Sequence, residues 1–285
     1  MKTIVITGAS TGIGRATSEY LASKGWQVFA GVRKEADGHP LAEAQSNIVP
    51  VIIDVAKSDQ IQSAVAQIAP ALEGRKLDGL INNAGIADLG PLPIQPMDEI
   101  KAHFDINVLG LIEVTQNFLP LLGTETERTG KPGRIINISS FGGRLGSPFL
   151  GAYCATKAAV ESLTDSFRRE LLPFGIDAIT LAPGAFKTAI WDKAEARDEH
   201  HPYANTAWAE PIKAYMENFI AAGHDGWPAI KLAAFIEDIL TAPSPKAYYA
   251  IGPSKFINYS VATRLPKRLL DKGLARNFNV KLYEE

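Results

Sequence analysis

Short runs of β-branched and other apolar residues alternate along this chain with longer segments of helical periodicity, and that alternation is the tightest constraint on its fold. The runs are "TIVIT" (3–7), "QVFAGV" (27–32), "VPVIID" (49–54), "LDGLIN" (77–82), "RIINIS" (134–139), "IDAITLA" (176–182) and "KAYYAIG" (246–252). Between them the spacing predicts helices over about 12–24, 58–69, 97–121, 152–172 and 228–240. Apolar runs without strict alternation belong to strands covered on both faces, so the expected fold class is α/β, with a doubly wound parallel sheet. No break in composition divides the chain. Residues 1–252 are expected to form one domain, interrupted by a helical lid over about 185–227 that carries Trp191, Trp208, Trp227, Tyr203, Tyr215 and Phe219, and followed by a helical appendix over 253–285.

The first strand runs into "TGASTGIG" (7–14), which opens the first helix. Glycines at 8, 12 and 14 let the chain turn tightly and bring backbone close to a pyrophosphate at the helix N-terminus. A glycine triplet alone is weak evidence; its place between strand and helix makes a Rossmann-type dinucleotide turn the better reading.

Charge and cysteine content narrow the function classes. The 285 residues carry a formal charge of −2, with Lys and Arg scattered except near the C-terminus, so a nucleic-acid groove is not expected. The single cysteine, Cys154, allows no intrachain disulfide and fits a reducing compartment. The apolar run before Gly8 is far shorter than the roughly 20 residues that span a bilayer. A soluble cytoplasmic protein is expected. Membrane attachment through the basic, partly amphipathic tail "FINYSVATRLPKRLLDKGLARNF" is the less favoured use of that segment, which better suits covering a pocket or a subunit interface.

A second motif cluster sits after the fifth strand. Tyr153 and Lys157 stand four residues apart in "YCATK", neighbours on one helix face, where an ammonium favours a phenolate and lowers the tyrosine pKa. Ser140 closes the fifth strand, at the carboxyl edge where open α/β sheets place ligands, and its hydroxyl can donate to a substrate oxygen. Each of these residues alone has a plain structural reading. Cys154 points away from Tyr153 on the helix and reads as packing, and the His200–His201 pair reads as surface, not metal. No metal site is expected.

With the glycine turn in G-x-x-x-G-x-G spacing, "NNAG" (82–85), Ser140, "YCATK" (153–157) and "PGAFKT" (183–188) all in order, the chain resembles the short-chain dehydrogenase/reductase family over nearly its whole length, to about Ile251. Within the family it looks most like the retinol and hydroxysteroid dehydrogenase branch. The resemblance implies catalytic roles for Asn107, Ser140, Tyr153 and Lys157: the tyrosine as general acid/base, the lysine also on the nicotinamide ribose, and Asn107 holding a relay water. It implies cofactor contacts from Gly8, Ser10, Gly12, Ile13 and Gly14 in the turn. Asp54 and Val55 would lie at the adenine, and Asn83, Ala84 and Gly85 at the adenosine ribose, while Asn82 braces the sheet; Asp54 and both asparagines also have structural readings. Pro183, Gly184 and Thr188 would hold the nicotinamide.

Where the family's NAD enzymes carry aspartate, this chain has Val32, followed by Arg33 and Lys34. A 2′-phosphate would meet a planar donor fork there, so NADP(H) is the expected cofactor, with Ser10 as a second contact and NAD(H) as the alternative. Solvated loop charges are the plain reading of the pair. The expected activity is interconversion of a lipophilic alcohol and its ketone or aldehyde. The alternatives are a 3-oxoacyl thioester reductase and a non-catalytic nicotinamide sensor. A homodimer or homotetramer is expected, as the family pairs its fourth and fifth helices, and "LGLIEVTQNFLPLL" has the apolar character for it.

Overall fold

In a computed structural model, residues 1–188, 202–253 and 256–277 are described. Seven strands form one sheet in the order β3-β2-β1-β4-β5-β6-β9, every neighbouring pair parallel. They are β1 (Thr3–Ile6), β2 (Gln27–Val32), β3 (Ile48–Ile52), β4 (Gly79–Asn82), β5 (Arg134–Ile138), β6 (Asp177–Pro183) and β9 (Tyr248–Ile251). A two-stranded ribbon, β7 (Phe186–Lys187) with β8 (Trp227–Pro228), sits outside this sheet. The order reverses between β1 and β4, which makes the carboxyl edge there the ligand crevice of a doubly wound fold.

Alternate residues of each strand feed two cores. Ile4, Ile6, Val28, Ile136 and Ile179 face one side with Leu21 of α1 (Gly12–Ser23) and with Leu232 and Ile236 of α8 (Ala229–Thr241). Val5, Phe29, Leu80 and Ile135 face the other, against Ile61 of α3 (Ser58–Ala71) and Val114 and Phe118 of α5 (Gly110–Leu119). All of these are almost fully buried, which is why the strands read as continuous apolar runs.

Two elements depart from the sequence reading. A helix α2 (Glu35–Ala44) lies between β2 and β3, where none is expected, because Gly38 and Pro40 mask its periodicity. It forms because Leu41 is buried, and because Gly38 sits so near Pro50 of β3 that an added Cβ would lie 2.6 Å from the proline ring. The expected single helix over 97–121 is two, α4 (Met97–Phe104) and α5, joined by a widened π turn over Asp105–Leu109 that contains Asn107. Such turns mark functional positions in many helices.

The lid region contributes α7 (Ala209–His224), and the appendix a π turn (Phe256–Val261) followed by α9 (Lys267–Asn277). Trp191, His200 and His201 lie outside the described residues.

Candidate active site

The glycine turn is fastened to β4 by hydrogen bonds that leave little room for side chains. Gly8 has φ +65°, and an added Cβ would lie 2.8 Å from Ala84 Cα; one on Gly14 would lie 2.3 Å from Gly8 O. Asn83 Nδ2 donates to Thr7 O (2.9 Å) and Gly8 O (3.1 Å), while Thr7 Oγ1 accepts the N–H groups of Asn83 (3.0 Å) and Ala84 (3.1 Å). The amide hydrogens of Asn83 are therefore spent on shaping the turn. Thr7, which the sequence reading passed over, is the hinge of this arrangement; its position at the carboxyl end of β1 was the available signal.

Asn82 braces the sheet as expected, donating to Thr115 Oγ1 and Asn137 Oδ1, both at 2.9 Å. Asp54 Oδ1 accepts the Ala56 N–H (3.1 Å), and Val55 is buried beneath Gly110. Gly12 faces Thr188, whose Cβ would lie 3.5 Å from a Cβ added to the glycine, so the glycine turn and the segment after β6 meet. At the start of α1, Thr11 makes no side-chain cap and the first turn holds no acid. The N–H groups there, with Ser10 and Ile13 among them, suit an anionic pyrophosphate.

Arg33 and Lys34 are exposed at the end of β2. Val32, at the position where an aspartate would select NAD, is buried. The turn is tied to this strand by Ala9 N–H donating to Gly31 O (2.8 Å), which sets Ser10 and Arg33 one and two residues from a shared anchor.

On the other side of the crevice, α6 (Gly151–Glu170) carries Tyr153 and Lys157. Ser140 caps the short turn Phe141–Gly143; its Oγ accepts the Gly142 N–H (3.1 Å), and a Cβ added to Gly142 would lie 3.5 Å from that Oγ and 3.6 Å from Tyr153 Cε1, so the serine and the tyrosine border the same spot. Ser139, its rival, turns inward instead, with Oγ 3.3 Å from Lys157 O and 3.1 Å from Glu161 Oε1. Lys157 Nζ donates to Ile138 O (2.8 Å) and lies 5.6 Å from the Tyr153 ring centroid. It would also lie 3.7 Å from a Cβ on Gly85, which joins the "NNAG" loop to the tyrosine helix.

One sequence expectation is corrected here. Lys157 was expected to depress the tyrosine pKa, but burial pushes the phenol up to about 12, against an opposing pull from the nearby Ser140 hydroxyl. Burial likewise brings the Lys157 ammonium down to about 8. Desolvation outweighs mutual attraction because the ammonium spends a hydrogen on Ile138 O and both groups are withdrawn from water. Asn107, the expected holder of a relay water, gives its amide hydrogens to Ile86 O (2.9 Å) and Thr156 Oγ1 (3.0 Å), and its Oδ1 accepts the Ile86 N–H (2.8 Å). Thr156 donates to Tyr153 O (2.7 Å), so Asn107 steadies the tyrosine helix.

The lid aromatics divide. Tyr203 and Tyr215 are buried with Phe149, Cys154 and Met216, while Tyr215 stacks on Phe219 and its hydroxyl pairs with Ser147 Oγ (2.8 Å). Trp208 and Phe149 border a groove of about 470 Å³, shared with Leu92, Pro148 and, from the appendix, Leu274 and Ala275. Trp227 does not join them; it meets Phe186 edge-on across the β7–β8 ribbon and packs against the first core, because ribbon pairing directs it there. Pro183 ends β6 buried, and Gly184 N–H donates to Ile251 O (2.8 Å).

This chain belongs to the short-chain dehydrogenase/reductase family: the sequence profile described as short chain dehydrogenase matches residues 2–199. It is an oxidoreductase acting on CH–OH donors with a nicotinamide cofactor and a small-molecule substrate, with relatives among the retinol and hydroxysteroid dehydrogenases. It is 33% identical over 273 residues, 95% of each chain, to the NADPH-dependent 3-dehydrocapnine reductase of Ornithobacterium rhinotracheale. It is 31% identical to retinol dehydrogenase 7 of Rattus norvegicus, covering 95% of this chain and 86% of that protein. Among solved structures, a short-chain dehydrogenase/reductase from Burkholderia phymatum in complex with NAD superposes with a TM-score of 0.76 at 26% identity, covering 95% of each chain.

Proposed function

We propose that this protein is an NADP(H)-dependent reductase of a lipophilic ketone or aldehyde, working also in reverse on the alcohol, with Tyr153 as the general acid. The observation that carries the reading is the convergence of Ser140 and Tyr153 at the carboxyl edge, where a Cβ added to Gly142 would lie 3.5 Å from Ser140 Oγ and 3.6 Å from Tyr153 Cε1, beside Lys157 and Gly85. A bound nicotinamide supplies the hydride. Tyr153 Oη gives its proton to the carbonyl oxygen as negative charge develops there, and Ser140 Oγ stabilises the same oxygen by a hydrogen bond. A phenol held protonated up to about pH 12 suits the reductive direction, in which it must donate. Lys157, charged below about pH 8, stabilises the phenolate left behind.

Arg33 and Ser10 support NADP(H): one exposed guanidinium and one hydroxyl flank the same anchored turn, and no carboxylate occupies residue 32. Pro183, Gly184 and Thr188 are the nicotinamide-side contacts in this reading, Asp54 and Val55 the adenine-side ones. The apolar groove beside Trp208 and Phe149 supports a lipophilic substrate. The similarity to an NADPH-dependent reductase named for a 3-dehydro compound supports ketone reduction.

The test is steady-state turnover of NADPH and NADH against steroid, retinoid, aromatic-ketone and 3-oxoacyl panels. NADPH turnover on an apolar ketone is expected, and Arg33→Ala should raise KM for NADPH by roughly tenfold while leaving NADH unchanged, the size of one lost charged hydrogen bond. Equal use of both cofactors by the wild type would remove the NADP(H) assignment. We also propose a cytoplasmic homodimer. Leu109, 56% exposed within the α4–α5 segment, supports pairing there, and the free thiol of Cys154 supports a reducing compartment. Sedimentation at monomer mass, or recovery outside the cytosolic fraction, would refute these two points in turn.

A further inference from the structure

Behind the site lies a polar cluster that the reaction above does not use. Glu161 stands one turn beyond Lys157 on α6, and its carboxylate meets three donors: Ser139 Oγ (3.1 Å) and Tyr248 Oη (3.0 Å) on Oε1, and Arg144 Nε (2.9 Å) on Oε2. The Arg144 guanidinium also covers the Tyr248 ring at 3.9 Å. Tyr248 opens β9, and its hydroxyl is 2.5 Å from that of Tyr259 in the appendix. Since Tyr248 spends its hydrogen on Glu161, Tyr259 is the donor in that pair.

Tyr259 is almost fully buried, and its ring lies 4.8 Å from that of Phe141. The Phe141 ring in turn presses on Gly184 and Gly252, where an added Cβ would come within 2.6 and 3.4 Å of it. Ser140 is thus flanked by two held residues. Ser139 is fixed from below by Glu161, and Phe141 is wedged between two glycines and Tyr259.

We propose that Tyr259 and Glu161 are positioning residues for Ser140, and that the C-terminal segment clamps the turn 139–144 so that the serine hydroxyl stays aimed at the phenol of Tyr153. The inference rests on the role given to Ser140 above. Oxyanion-type donors act only when held in place, and small displacements are costly in rate. A C-terminal segment that merely covers the groove would need neither the phenol pair nor the ring contact with the residue next to Ser140.

The experiment uses the full chain with NADPH and the best ketone of the panel. Tyr259→Ala should lower kcat roughly tenfold with KM for NADPH unchanged, and Tyr259→Phe, which keeps the ring on Phe141, should recover most of the loss. In a Ser140→Ala background the same Tyr259→Ala change should cost almost nothing more, because its effect runs through the absent hydroxyl. Hydrogen exchange of the peptide covering 139–144 should be faster in Tyr259→Ala; this readout needs no turnover and no substrate. Should Tyr259→Ala fail to fold, Glu161→Gln gives the same comparisons. An unchanged kcat, an undiminished loss in the Ser140→Ala background, or unchanged exchange would overturn the clamp. A wild-type protein without NADPH turnover on any carbonyl overturns the proposed function instead, and the exchange measurement then still decides the clamp.

Discussion

On the glycine-turn side of the crevice the chain is held by backbone groups, whereas on the lid side it is held by rings. Thr7, Gly8, Asn83 and Ala84 interlock through four hydrogen bonds of about 3 Å, each joining a main-chain N–H or C=O to the Thr7 hydroxyl or the Asn83 amide. Across the edge, Phe149, Tyr203, Tyr215 and Trp208 pack as side chains in one cluster, and Phe149 and Trp208 border a groove that the appendix completes. A dinucleotide has a fixed shape, so its cradle can be rigid and encoded locally; a lipophilic substrate is met by apolar surface that many sequences can provide. Tyr153 and Lys157 lie where the two constructions join.

Four changes would break or sharpen this contrast, in falling order of effect. Tyr153→Phe removes the proton donor and should lower kcat by about a thousandfold without altering NADPH affinity, measured by stopped-flow and by fluorescence titration. If turnover persists, the chemistry does not run through the joining helix.

Gly14→Ala attacks the rigid half. A methyl group 2.3 Å from Gly8 O cannot be accommodated unless the turn shifts, so NADPH binding should weaken by well over tenfold and stability should fall by about 1–3 kcal/mol. The same substitution at an exposed lid position should do neither, and calorimetry with cofactor titration separates the two.

Lys157→Met tests the join by pH. The buried ammonium titrates at about 8 in the folded chain against 10.5 as its ordinary value. A lysine whose folded pKa is depressed costs stability fully below the lower value, and the cost disappears as pH rises toward the upper one. The variant should therefore be more stable than the wild type at pH 7, by roughly 3 kcal/mol from the size of the shift, and about equal to it above pH 10.5. Urea unfolding at both pH values checks the sign. Turnover is lost in the same variant.

Trp208→Ala, on the adaptable half, should have the smallest effect: KM for an apolar ketone raised about fivefold, with kcat and NADPH KM kept. A large fall in kcat instead would mean that the lid orders the proton-transfer groups as well as the substrate.

What was legible in the sequence follows the same division. The seven apolar runs correspond to the seven strands of the main sheet, since burial on both faces leaves a pattern that reads directly. The glycine turn, "NNAG", Ser140, Tyr153 and Lys157 were legible because each is a local residue-type requirement. Helix α2 was hidden by Gly38 and Pro40, whose fit depends on Pro50 from another strand. The π turn at Asn107 was hidden because one extra residue only shifts the phase of the apolar stripe, by about 100°, without breaking the run of helix-forming residues. Glu161 had a signal, four residues beyond Lys157 on one helix face, but its partners come from β9 and the appendix.

The sequence by itself determined the order of strands and motifs along the chain, the glycine turn between β1 and α1 and the candidates proposed for proton transfer, because these are written in residue types at short spacings. Only the tertiary structure decided that Ser139 turns inward to Glu161, how the amide hydrogens of Asn83 and Asn107 are spent, where Trp227 goes, and which way burial biases the Tyr153 and Lys157 protons. Those outcomes depend on desolvation and on partners tens of residues distant, and neither is a property that a local stretch of sequence carries.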